Sequence, residues 1–173
     1  MKKRKFNAVD EQTLTKSKRM AAIKNMYYNR YLFCRYALAM FFFANFYLAI
    51  LAPNTPVGIG AIVLTVLGGI SAFEVGIQYS RKDHYCITLV ITFAAQAMFN
   101  TAISAALMAM PAGDVLPFLQ STGDATAFGL VLSLSGLAVA GFALYRLYQI
   151  YNKSDKQMQR IEFFEKKYNL NIT

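Results

Sequence analysis

The chain has 173 residues, 56% of them hydrophobic and 16% charged, with 18 Lys and Arg against 9 Asp and Glu, and its mean hydropathy is +0.33. That length suits one domain, but so apolar a composition excludes an ordinary soluble fold and points to the bilayer. The net charge of +9 would suit nucleic acid, yet the basic residues sit only at the ends of long apolar runs, which argues against that partner.

Residues 1–35 form a basic N-terminal segment that opens with Lys2, Lys3, Arg4 and Lys5. From Asp10 to Arg35 the composition favours helix, with Leu14, Met20, Ile23 and Tyr27 at loosely helical intervals. This predicts a weakly amphipathic, cytoplasmic segment at the membrane surface, or a solvated lead that only fixes orientation. No cleavable signal is read here, so the first span would itself direct insertion.

Residues 36–149 are expected to form four transmembrane helices, over about 36–52, 57–79, 85–110 and 126–149. Pro53, Asn54, Thr55 and Pro56 make a turn short enough to force the first two spans antiparallel. In the second span Thr65, Gly68, Ala72 and Gly76 form a row of small residues, the spacing that lets two helix backbones approach. Such a row serves packing within one chain as readily as packing between copies.

Glu74 is the one acidic residue within any span, and an intramembrane carboxylate is a candidate functional group. It lies roughly 7–8 Å from the cytoplasmic end of its span at 1.5 Å per residue. Arg35 and Arg146 fall at similar depth, so an ion pair of Glu74 with either is expected; a proton or cation site is the sharper alternative.

The third span carries the most distinctive pattern. Thr88, Thr92, Gln96, Asn100 and Ser104 recur every fourth residue among apolar neighbours and predict a slowly winding polar stripe. The stripe reads either as glue between helices or as the lining of a pore, and Asn45 on the first span could bond to it. The loop 111–125 is broken by Gly113, Pro117 and Gly123, and Val115–Leu119 is apolar enough to dip into the interface. Residues 150–173 continue as a helical tail without an evident break, with Leu147, Tyr151, Met158, Ile161 and Tyr168 at near-heptad steps.

Of the 18 Lys and Arg, ten lie in residues 1–35, two at Arg81–Lys82 and six between Arg146 and Lys167. All 4 prolines lie in the two loops that lack Lys and Arg. The positive-inside rule then predicts an up-down-up-down bundle with both termini in the cytoplasm of a plasma or inner membrane. Cys34 and Cys86 match no disulfide or metal framework and are expected as reduced thiols. His84 beside Asp83 has no nucleophile or orienting partner at a catalytic spacing. No metal, cofactor or enzymatic activity is expected. Two functions follow: a self-associating, pore- or channel-like oligomer with the polar face of the third span near its axis, or a non-conducting adaptor that docks a cytoplasmic protein through its termini.

Overall fold

The computed structural model describes residues 8–78, 86–119, 122–152 and 154–168, which contain seven helices and no strand. They are α1 (Ala8–Asn29), α2 (Leu32–Leu51), α3 (Pro56–Gln78), α4 (Ile87–Ala109), α5 (Ala112–Val115), α6 (Gly123–Tyr151) and α7 (Lys156–Tyr168). Four of them, α2, α3, α4 and α6, are long and apolar enough to cross a membrane. The basic cluster at residues 2–5 and the turn carrying Arg81, Lys82, Asp83 and His84 lie outside the described residues.

Bilayer contact explains the outer surface of these four helices. Phe73 (73% exposed), Met98 (74%), Met108 (72%) and Val131 (68%) face outward, an arrangement that water would penalise heavily and lipid does not. The chain is therefore a multi-pass membrane protein by the length and composition of its helices. Inside, one core joins Cys34, Leu38 and Phe41 of α2, Leu89 and Phe93 of α4, and Ala143 and Leu147 of α6. A second, at the opposite end, joins Ile103 and Leu107 of α4 to Ala112, Val115 and Leu116. The loop segment expected to dip into the interface thus closes that end of the bundle.

Local chemistry sets the helix ends. In the α2–α3 turn Asn54 takes a left-handed φ of 61°, which Asn tolerates, and Thr55 Oγ1 accepts from the Gly58 amide at 3.0 Å to cap α3. Thr122 Oγ1 likewise accepts from the Ala125 amide at 3.3 Å, so α6 starts at Gly123 rather than near residue 126. The first span begins at Leu32, ahead of the expected residue 36, because Arg35 is accommodated within the helix. The chain also breaks between α6 and α7, where one continuous helix was expected: Asn152 caps α6 and Asp155 turns inward.

Close approach accounts for the glycines at 58, 60, 129 and 136. A Cβ on Gly60 would lie 2.6 Å from the Phe99 ring, and one on Gly129 would lie 2.9 Å from Leu107. A Cβ on Gly58 would collide with the Ala52 carbonyl oxygen, which is backbone and cannot yield. Gly141 has open space around its position. Gly58→Ala should therefore lower the detergent melting temperature, with a cost of about 1–3 kcal/mol. Gly141→Ala should be neutral or slightly stabilising, and circular dichroism melts of the two variants check the contrast.

Candidate functional site

The polar stripe of α4 faces the interior, and its bonds leave the helix in three directions. Thr88 donates from both its amide and its hydroxyl to a Glu74 carboxylate oxygen on α3. One turn on, the Thr92 hydroxyl meets Ser71 Oγ of α3 at 2.7 Å. Gln96 Oε1 accepts from Asn45 Nδ2 of α2 at 2.7 Å. Ser104 Oγ bonds Ser133 Oγ of α6 at 2.8 Å. Residues four apart on a helix of 3.6 residues per turn advance by about 40° per step, so five of them sweep about 160° of the surface. That sweep carries the stripe from α3 past α2 to α6.

Gln96 and Asn100 link the two halves of this ladder. Gln96 Nε2 donates to Asn100 Oδ1 at 3.2 Å, and Ser104 Oγ donates to the Asn100 carbonyl at 2.9 Å. Asn100 Nδ2 has no hydrogen-bond partner and lies where a Cβ on Gly136 would come within 2.5 Å. Gly136 therefore makes room for the amide. Beside it, a cavity of about 280 Å³ between α2, α4 and α6 is floored by Asn45, Gln96, Asn100 and Ser133 and walled by apolar side chains.

The predicted ion pair is not formed. Glu74 turns to Thr88 on α4, on the same face of α3 as Ser71. Arg146 instead donates to Gln149 Oε1 at 3.0 Å, and the Arg35 guanidinium lies 3.0 Å over the Tyr28 ring. Register is the physical reason: the face of α3 that carries Glu74 packs on α4, whereas Arg35 and Arg146 belong to α2 and α6. The small-residue row of α3 divides. Gly68 packs on Phe42 of α2 and Thr65 bonds back to the Ala61 carbonyl at 2.8 Å, while Ala72 and Gly76 remain exposed. Cys34 and Cys86 are both buried free thiols.

A second polar centre had no signal beyond one of three acids, Asp155, Glu162 and Glu165, in a basic tail. Arg30, at the α1–α2 corner, donates from Nη2 to Asp155 Oδ1 at 2.6 Å and from Nε to Oδ2 at 3.0 Å. Its Nη2 also reaches the Ile150 carbonyl at 3.2 Å. The Arg30 side chain is 8% exposed and that of Asp155 0%. This two-pronged pair ties the start of α7 to the corner before the first span, and Ile23 of α1 packs against Ile161 of α7 beside it. Met26 and Tyr27 complete that small apolar contact.

No family model matches the chain, and no curated protein or solved structure is significantly similar to it. Among the described residues no group of His, Cys, Asp and Glu could hold a metal ion.

Two outcomes follow from this geometry. Asn45→Leu and Gln96→Leu should be coupled by about 0.6–2 kcal/mol in a double-mutant cycle on detergent stability, the range of interhelical hydrogen bonds in membranes. Asp155→Asn leaves Arg30 buried against a neutral amide, at a cost of about 3 kcal/mol. Trypsin should then cleave α1 faster than in the unmodified chain while the four apolar helices stay protected.

Proposed function

We propose that the chain is a non-conducting membrane adaptor or accessory subunit that docks a cytoplasmic protein on its α1–α7 cap. The observation that carries this reading is the buried Arg30–Asp155 pair, which holds two polar terminal helices in one fixed place against the bundle. A segment that only set orientation would need no such anchor. The exposed residues of the cap include Lys18 on α1 and, on α7, Arg160, Glu162 and Lys166 around Phe163, which is 63% exposed. An exposed aromatic ringed by charge is the usual make-up of a protein contact.

In this reading the bundle runs up-down-up-down, with both termini in the cytoplasm of a plasma or inner membrane. The charge distribution supports that orientation, since the apolar helices carry their Lys and Arg at one end. The polar stripe weighs against a pore around the third span. Thr88, Thr92, Gln96 and Ser104 are bonded within one chain to three different helices, so they present no common face to an axis between copies.

The test has two arms. Purified protein in planar bilayers should show no current above the lipid control. In cells, removal of residues 154–173 should abolish a cross-link to a specific cytoplasmic partner that the full chain makes, while insertion is unchanged. Unitary currents altered by Gln96→Leu, from a ring of several copies, would overturn the proposal in favour of a channel.

A further inference from the structure

Between α2 and α3, on the side away from α4 and α6, a groove of about 400 Å³ runs from Tyr28 and Arg35 to Ala39, Phe42, Gly69 and Gly76. Its floor is unusually bare. Among the described residues a Cβ on Gly76 would touch nothing within 4 Å, one on Gly69 would meet only Phe42 at 3.9 Å, and Ala72 is exposed. The small-residue row therefore leaves half its length without a helix packed on it.

At the mouth stands a cation, Arg35, with no anion paired to it among the described residues. All three Arg35 guanidinium nitrogens are buried and have no hydrogen-bond partner. The Tyr28 ring lies against the guanidinium, its centroid 3.0 Å from the guanidinium carbon. A ring face attracts a cation but accepts none of its N–H bonds, and a buried guanidinium left so is costly. The Glu74 carboxylate that could have served is bonded to Thr88. Depth then narrows the choice of anion. Arg35 is three residues into α2, which places it about 5 Å from the helix start, near headgroup level. From Gly76 to Gly69 the floor runs about 10 Å further along α3, toward the bilayer centre.

We infer that this groove binds one anionic diacyl phospholipid, its phosphate on Arg35 and one acyl chain along Ala39, Gly69, Ala72 and Gly76. The phosphate takes the place of the Tyr28 ring beside the guanidinium and accepts the N–H bonds that the ring cannot. A net negative headgroup is favoured over a zwitterionic one because the local positive charge has no other described counterion. The acyl chain covers the bare floor, where neither a soluble anion nor a free headgroup could gain by burial.

The test compares three probes on the purified full chain: palmitoyl-oleoyl phosphatidylglycerol, the phosphatidylcholine with the same chains, and inorganic phosphate at matched ionic strength. Native mass spectrometry reads retained lipid, and a circular dichroism melt reads stabilisation. The phosphatidylglycerol should be retained at least fivefold more than the phosphatidylcholine and should raise the melting temperature, while inorganic phosphate should do neither. Arg35→Gln should erase that preference, whereas Lys18→Gln, which removes an equal charge from exposed α1, should keep it. Gly76→Leu fills the floor with Arg35 intact and should also erase it, which covers the case in which Arg35→Gln does not fold. Equal retention of the two lipids, a full effect of inorganic phosphate, or a preference that survives Arg35→Gln or Gly76→Leu would overturn the inference.

Discussion

The bundle depends on the mismatch between a four-residue repeat and a 3.6-residue helical turn. Had the polar residues of α4 recurred at alternating steps of three and four, they would have stayed on one face and faced one neighbour. Spaced uniformly by four, they turn through about 40° at each step and address three neighbours in succession. Where lipid competes for apolar surface as well as another helix does, such bonds supply much of the specificity of packing. Glu74, Ser71, Asn45 and Ser133 are the partner groups, and each fixes the depth at which its helix meets α4. Glycines then allow the backbones to close: Gly60 under Phe99, Gly129 under Leu107 and Gly136 under Asn100.

What the sequence discloses, and what it hides, follows from this division of labour. Span number and the interior role of the α4 stripe are carried by local periodicity, which a single helix displays in full. Asn45 could be matched to the stripe because it is one polar residue in an apolar span. Partner choice for Glu74 was not legible, because depth alone cannot tell which face of α3 meets which helix. Two arginines at the right depth outweighed a threonine on charge, yet register gave the threonine. The glycines at 58, 60, 129 and 136 were equally silent, since a glycine's use lies in what approaches it.

The break at residues 152–155 shows a long-range contact overriding a local pattern. Leu147, Tyr151, Met158 and Ile161 keep near-heptad steps across it, and nothing nearby forbids helix. Arg30, 125 residues away in sequence, draws Asp155 into the interior, and α7 is redirected onto α1. A guanidinium at a membrane corner needs an acceptor, and the one carboxylate between Lys153 and Lys156 supplies it. The polar termini thereby become a defined surface rather than two separate tails.

Arg30 and Arg35 sit five residues apart on either side of the same corner, and the contrast between them separates structure from function. Both are buried at their nitrogens or nearly so, both flank the start of the first span, and both carry a charge that an apolar setting will not tolerate alone. Arg30 has a carboxylate, a carbonyl and a tight fit, and its role ends within the chain. Arg35 has an aromatic face and an open groove of small residues. A protein that only needed to fold could place an apolar residue there at lower cost. The persistence of charge beside unfilled apolar space is therefore better explained by a molecule that brings both an anion and a hydrocarbon chain, and the bilayer is built of such molecules.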